Sequence, residues 1–180
     1  MNDSEAYKRA NSAALRFLSY RARSEAEVRT RLLQRYPSEL VNQVLATLTR
    51  QGLINDSEFA YLWKQSRDSH RPRSAFLIQR ELRAKGVSPD LAAQAVADLD
   101  EADAAYRAGQ KYVRRLRDLD FQNFSTKLWA HLGRRGFNSS TSRNVVTRLW
   151  TESEQQIDSS LSTESTELPF FDSSGVSERD

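Results

Sequence analysis

The sequence contains no cysteine, and histidine occurs only twice among its 180 residues. The absence of thiols excludes disulfides and thiolate metal sites. No stretch approaches the roughly 18 apolar residues of a membrane span, and the first residues carry no apolar segment of signal-peptide length. We therefore expect a soluble, cytoplasmic protein that has no membrane partner.

Catalytic motifs are missing as well. The chain has no H-E-x-x-H, no G-x-S-x-G and no glycine-rich phosphate loop. His70 and His131 each stand without a second histidine nearby, and the carboxylates between residues 98 and 103 mark a helix start, where negative charge favours the helix dipole. We expect a protein that is not an enzyme and that uses no cofactor and no metal.

Charge is distributed unevenly along the chain. Residues 151–180 contain eight acidic side chains and one basic one, whereas the whole chain has a net charge of +3. The first 150 residues therefore carry +10, which is typical of a body that faces a polyanion such as nucleic acid. A solvated helical surface that merely favours arginine would give the same charge.

A repeat of about fifty residues runs through this basic body. Leu32, Leu82 and Leu132 fall into register at that step, and apolar residues recur after them on one face of a helix. Helix formers dominate, and alternating β-branched runs are absent. Self-similarity at this period is the signature of stacked structural repeats. The sequence predicts an all-α fold of three tandem three-helix repeats in an elongated, curved array.

The predicted boundaries follow from the repeat. We place the first repeat at residues 1–55, the second at 56–100 and the third at 101–150, followed by a disordered acidic tail at 151–180. The third repeat is predicted to open with a long helix over Glu101–Leu119 and to end near Trp150. Within the tail, the apolar cluster Leu168–Phe171 is either incidental or a short docking motif.

Local signals mark the helix ends. Ser24 followed by Glu27 has the pattern of a capping box, and Asp56 and Ser74 are predicted to cap the helices that follow them. A glycine after a basic segment indicates a left-handed helix C-terminus, and this pattern occurs at Gly52, Gly86 and Gly136.

One four-residue frame, Arg-x-Arg-Ser, occurs at residues 21–24 and again at 71–74. Each copy lies between the first and second helices of its repeat, where free N–H groups and the positive end of the helix dipole would lie beside two guanidiniums. Such a junction suits an anion. In the third repeat, Phe124 and Ser125 stand in place of the frame.

The arginines of this frame belong to a larger candidate binding surface. Its members are Arg21, Arg23, Arg31, Arg67, Arg71, Arg73, Arg80, Arg83, Lys85, Arg114, Arg115, Arg117, Arg134 and Arg135. The alternative is that the stems of these side chains cover helix surface and that their charged ends are only solvated. For the repeated junction pairs we favour a shared ligand face.

Three spaced motifs resemble those of the RecX family: LSYRARSEAEVRTRL at residues 18–32, GLINDSEFA at 52–60 and IQRELRAKGV at 78–87. The resemblance runs from about residue 10 to residue 150 and leaves out the acidic tail. It implies three tandem three-helix repeats in a curved shape. It also implies a regulator of the RecA recombinase, usually an inhibitor, that lodges in the groove of the RecA–DNA filament.

On this resemblance we expect the basic surface to bind the RecA filament and the backbone of single- or double-stranded DNA. We expect a monomer that acts in homologous recombination, DNA repair and the SOS response. Two alternatives stay open. One is a helix-turn-helix protein that binds duplex DNA directly, and the other is an α-solenoid scaffold for an unrelated protein partner.

Overall fold

The structure, a computed structural model, describes the backbone of residues 3–164 and the side chains of residues 4–155. This part of the chain contains only helices as regular structure, and none of them is long and apolar enough to cross a membrane. The helices are α1 (Asp3–Leu18), α2 (Glu25–Leu33), α3 (Ser38–Arg50), α4 (Asp56–His70), α5 (Ala75–Ala84), α6 (Pro89–Ala95), α7 (Glu101–Val113), α8 (Phe121–Gly133) and α9 (Ser139–Glu164). The predicted all-α fold of three tandem three-helix repeats is confirmed.

Each repeat builds a core of its own. Leu32, Leu82 and Leu132, the residues in register, are each at most 1% exposed, and each belongs to a different cluster of buried side chains. Burying a leucine stabilises a fold by about 1.5–3 kcal/mol, so a core of this size is marginal without its neighbours. The stability of the array therefore depends on the junctions between repeats.

Most of the predicted helix ends are confirmed. Ser24 and Glu27 form the capping box at α2, the Ser74 hydroxyl accepts a hydrogen bond from the backbone of α5, and the three glycines have φ of 71°, 81° and 84°. One prediction was wrong. Asn55, and not Asp56, caps α4, because the Asn55 side chain accepts from two N–H groups of the first turn while Asp56 is bonded elsewhere.

The third repeat differs from its predicted outline. The first helix was expected to run to Leu119, but α7 ends at Val113, and the turn that follows brings Leu116 into the core at 3% exposure. The cap of α8 is Asp120, which accepts from the Asn123 N–H at 2.8 Å. The position equivalent to Arg-x-Arg-Ser thus falls at residues 117–120, and its cap, Asp120, lies five residues before Ser125, where the sequence had placed it.

The last helix extends further than expected. It was predicted to end near Trp150, but α9 runs on to Glu164. Glu152 accepts from the Tyr106 hydroxyl and from Arg148 Nε, both at 2.8 Å, and so ties the extension to α7. The remaining residues of the predicted disordered tail, 165–180, lie outside the described residues, and the Leu168–Phe171 cluster lies there too.

Candidate functional site at the repeat junctions

The first junction is the contact between α2 of the first repeat and the start of α4 and the end of α5 of the second. Here the fully buried Ser24 hydroxyl donates to the carbonyl of Lys85 at 2.6 Å, and the N–H of Glu25 donates to Asp56 Oδ1 at 2.8 Å. Burial raises the pKa of Asp56, and the bond from Glu25 opposes that rise. Both hydrogen bonds tie the start of one helix to the next repeat.

The second junction, between α5 and the third repeat, reproduces this arrangement. The N–H of Ser74 donates to the carbonyl of Arg135 at 3.0 Å, and the N–H of Ala75 donates to Glu101 Oε1 at 2.7 Å. The sequence predicted free N–H groups that could receive an external anion at these helix starts. Instead, the first carboxylate of the following repeat, Asp56 or Glu101, binds one of them at each junction.

Two glycines let the repeats approach each other at these junctions. A Cβ on Gly86 would overlap the Cβ of Ala26, and a Cβ on Gly136 would overlap the hydroxyl of Ser74. Both glycines also have φ above +80°, in the left-handed region that glycine tolerates best. The matching residue of the first repeat is Tyr36, which has no preceding repeat among the described residues to accommodate.

The arginines of the frame are engaged within the chain. Arg21 Nη2 lies 2.8 Å from Glu27 Oε1, and the guanidinium of Arg23 stacks on the ring of Phe17 at 3.9 Å from its centroid. Arg73 forms an ion pair with Glu81. These three side chains therefore support the fold, whatever else they contact.

A continuous seam of charged and aromatic side chains crosses the first junction. Lys85 Nζ bonds Glu27 Oε1 at 3.1 Å and lies over the indole of Trp63, over which the guanidinium of Arg67 also lies. Trp63 Nε1 and Arg67 Nε both donate to Glu81 Oε2, at 2.8 and 2.7 Å. Sequence reasoning missed the roles of Trp63 and of both glutamates, because their partners are up to 58 residues away.

The pKa of Glu27, one of the two carboxylates of this seam, is strongly shifted. Burial acts to raise its pKa, but the bonds from Arg21 and Lys85 and from the Ser24 backbone outweigh burial and lower the pKa to about 2. Glu27 is therefore ionised at neutral pH, and its single charge partly offsets those of Arg21 and Lys85. The first junction thus supplies an acidic partner to both of these cations.

The second junction, by contrast, gathers cations that have no acidic partner. Arg71, Arg134 and Arg135 form no ion pair within residues 4–155. Burial lowers the pKa of Arg135, and so do the charges of Arg134 and Arg71. The pKa of Arg73 is lowered by burial and by Arg67, Arg135 and Arg71. Mutual repulsion of this kind favours an anion from outside.

His131 lies beside this cluster, and the positive charges of the cluster affect its pKa. Its ring stacks on Tyr112, with centroids 4.0 Å apart. Burial, followed by the charge of Arg135, lowers the pKa of His131 to about 4, so the imidazole is neutral at neutral pH. The positive potential here thus comes from arginines, and it persists across the physiological range.

The other predicted surface residues lie apart from the two junctions. Arg80 and Arg83 lie on an exposed face of α5 together with Phe76, which is 68% exposed. Arg114, Arg115 and Arg117 are exposed in the segment between α7 and α8, where Asp118 and Asp120 are exposed as well. The structure brings Arg71, Arg73, Arg134 and Arg135 together, and it places Arg31 in a cleft between α1 and α2.

The acidic cluster between residues 98 and 103 has structural roles. Asp98 pairs with Lys64 at 2.9 Å, Asp100 caps α7, and Asp103 pairs with Arg107 at 2.6 Å. In the part of the chain that the structure describes, no group of three or more histidine, aspartate or glutamate side chains could hold a metal ion.

Comparisons with known proteins agree with this architecture. Family models described as the first, second and third three-helix domains of RecX match residues 10–48, 55–96 and 99–146. The regulatory protein RecX of Mycolicibacterium smegmatis is 37% identical over 147 residues, covering 77% of this chain and 78% of the relative. That of Amycolatopsis mediterranei is 34% identical over 146 residues, covering 79% and 83%.

Two solved structures share the fold. The crystal structure of RecX from Lactobacillus salivarius superposes with a TM-score of 0.71 at 20% identity, covering 81% of this chain and 97% of that one. A second crystal structure, of a regulatory protein RecX, gives a TM-score of 0.68 at 26% identity, covering 77% and 72%. Over most of its length, this chain is therefore similar to proteins that are named as regulators.

Proposed function

Because the chain belongs to the RecX family, we propose that it regulates the RecA recombinase as a non-enzymatic inhibitor. The basic surface binds the RecA–DNA filament in the cytoplasm, contacting acidic protein surface, DNA backbone or both. Bridging neighbouring RecA protomers or covering a filament end would slow filament growth without any bond being made or broken. The protein would thereby act in homologous recombination, DNA repair and the SOS response.

The observation that carries this proposal is the excess positive charge at the second junction. Arg71, Arg134 and Arg135 repel one another and lack acidic partners among the described residues. The hydrogen bond from Ser74 to the Arg135 carbonyl fixes the backbone that presents them. Guanidiniums bind phosphate and carboxylate groups well, and the fixed backbone keeps these three close to one another.

The direct test adds the full chain to RecA assembled on single-stranded DNA with ATP. ATP hydrolysis and strand exchange should both fall as the protein approaches stoichiometric amounts. If neither rate changes at stoichiometric protein, inhibition of RecA is ruled out as the activity.

A double substitution, Arg71→Ala with Arg134→Ala, tests the second junction itself. Inhibition should weaken about tenfold, and the salt dependence of filament binding should become less steep, because each lost phosphate contact removes about one unit of slope. The pair Arg71 and Arg73 is a less clean choice, since removing Arg73 also deprives Glu81 of a partner.

Helicity measured by circular dichroism should be unchanged in this variant. The matched control is Arg50→Ala with Arg143→Ala, which removes two exposed cations away from the junction. Equal inhibition by the wild type and the Arg71/Arg134 variant would mean that these arginines are solvated surface residues that do not contribute to filament binding.

One observation favours a second candidate, direct binding to duplex DNA. Phe76, Arg80 and Arg83 follow one another at helical spacing on an exposed face of α5, as they would on a recognition helix. This alternative predicts sequence-specific duplex binding that survives competitor DNA and that depends on Arg80 and Arg83. Filament regulation predicts no such preference.

A further inference from the structure

A cleft of about 580 Å³ opens between α1 and α2 of the first repeat. Five cationic side chains line it: Lys8, Arg9, Arg16, Arg31 and Arg35. No acidic residue lines the cleft, and the four arginines form no ion pair with a described residue. Lys8 alone has an acidic neighbour, Glu5 at 3.4 Å, and that pair is largely exposed. The cleft is thus an anion site that its own repeat does not neutralise.

The second repeat shows how the same position looks when it is filled. Fifty residues further along the chain, the indole of Trp63 occupies the space between the two helices and donates to Glu81. Lys85 covers the indole and binds the carboxylate of Glu27, which the preceding repeat supplies. One aromatic ring and two carboxylates complete this position.

The first repeat lacks all three of these groups at the equivalent positions, although Phe17, Tyr20 and Tyr36 also line the cleft. Ala13 stands in the place of the tryptophan, Arg31 in the place of the glutamate on the second helix, and Arg35 in the place of the lysine. No repeat precedes it in the described chain to supply the remaining carboxylate. The cleft therefore has room for an aromatic ring and positive charge for at least two carboxylates.

We propose that this cleft binds residues 167–172 of a second copy of the chain. The segment reads Glu-Leu-Pro-Phe-Phe-Asp, with two aromatic rings between two carboxylates. It supplies the groups that the first repeat lacks, and its acidic surroundings complement the five cations. A phenylalanine ring would enter the space beside Ala13, while Glu167 and Asp172 would bind the flanking arginines.

A second copy fits better than the same copy because of the order of the repeats. The cleft belongs to the first repeat, and the segment follows α9, which packs on α7 and α8 of the third. No hydrogen bond or ion pair within residues 4–155 joins the first repeat to the third. The six residues from Glu164 to Phe170 span at most about 20 Å. Such a contact is head-to-tail, so it replaces the expected monomer with concentration-dependent association.

Sedimentation equilibrium of the full chain tests this proposal. At low salt, the average mass should rise with protein concentration between about 1 and 100 µM, a range typical of weak, charge-assisted contacts, and it should return to that of a monomer in high salt. Arg9→Ala with Arg35→Ala removes two cations of the cleft, and Phe170→Ala with Phe171→Ala removes both rings. Each variant alone should remain a monomer.

Mixing the two variants provides the decisive measurement. One retains the tail and the other retains the cleft, so a 1:1 complex should form although neither associates alone. The control Arg50→Ala with Arg143→Ala should associate as the wild type does, and circular dichroism should show that every variant folds.

Three outcomes would overturn the proposal. The wild type could stay a monomer at every concentration, the cleft variant could still associate, or the mixture could form no complex. A fluorescent single-stranded oligonucleotide tests whether nucleic acid, and not the tail of a second copy, occupies the cleft. If it binds through Arg9 and Arg35 while the wild type stays monomeric, the cleft is a nucleic-acid site and not a tail site. RecA inhibition is scored separately, so the two proposals fail independently.

Discussion

The two junctions have equivalent hydrogen-bond acceptors, a carbonyl and a carboxylate of the next repeat, and differ in their charge. At both junctions, the serine before a helix donates to the carbonyl of the residue that precedes a left-handed glycine. The N–H of the residue after that serine donates to a carboxylate of the next repeat. At the first junction Glu27 forms ion pairs with both Arg21 and Lys85. The corresponding residue of the second repeat is Leu77, so the second junction has no carboxylate at that position.

This difference separates the contacts that assemble the array from the charges on which the proposed function depends. The shared bonds build the array, since they recur wherever one repeat meets another. The charges are free to vary because they lie beside these bonds and not in them. Positive charge is therefore left unpaired at the second junction, where Arg71, Arg134 and Arg135 form no ion pair within residues 4–155, and in the cleft of the first repeat, which no acidic residue lines.

The largest expected effect comes from Gly86→Ala. The new Cβ would collide with Ala26 and would also force a residue with a side chain into the left-handed region, so the free energy of unfolding should fall by more than about 3 kcal/mol. Gly136→Ala should have a similar effect at the second junction. Urea denaturation followed by circular dichroism measures both.

Gly52→Ala is the matched control for that comparison. Gly52 has φ of +71°, but a Cβ at this position would meet no atom within 4 Å, so only the backbone conformation opposes the substitution and the cost should be about 1–2 kcal/mol. If all three substitutions cost the same, close approach between repeats is not what selects glycine at positions 86 and 136.

The next largest effect concerns acid and should be confined to the first junction. Because the pKa of Glu27 falls from its ordinary 4.5 to about 2 on folding, its contribution is fully present above pH 4.5 and is lost as the pH falls toward 2. After allowance for solvent screening, this contribution is about 2 kcal/mol. Glu27→Gln should remove it at pH 7.

Urea midpoints measured at pH 7 and pH 3 check this expectation. The wild type should lose more stability between these pH values than the Glu27→Gln variant does. Asp56 acts in the opposite sense, since burial raises its pKa and protonation in acid then favours the folded state. A variant as acid-sensitive as the wild type would show that Glu27 does not hold the junction.

The sequence predicted the repeated frame because its signals are local. The caps at Ser24 and Ser74 and the glycine turns each involve residues within a few positions of one another. The frame was misplaced in the third repeat because an aspartate, Asp120, caps α8 in place of a serine. Asp120 also lies further from Leu132 than Ser24 and Ser74 lie from Leu32 and Leu82. A change of cap residue leaves the helix intact but hides the frame.

What the sequence could not show is how the repeats meet. Asp56 has the position of a cap but binds the helix start of the preceding repeat 31 residues away. The cations of the cleft other than Arg31 were overlooked because Lys8, Arg9 and Arg16 follow no frame, and only the fold sets α1 beside α2. Long-range contacts of this kind leave no periodic signal in a single sequence.

The smallest expected difference compares the two serines. The Ser24 hydroxyl both caps α2 and donates to the Lys85 carbonyl, whereas the Ser74 hydroxyl only caps α5, because the backbone N–H of Ser74 makes the bond to the third repeat. Since each buried hydrogen bond contributes about 1 kcal/mol, Ser24→Ala should cost about 2 kcal/mol and Ser74→Ala about 1 kcal/mol. Urea denaturation of both variants can resolve that gap. Equal costs would mean that the hydroxyl bond across the first junction adds nothing to the cap.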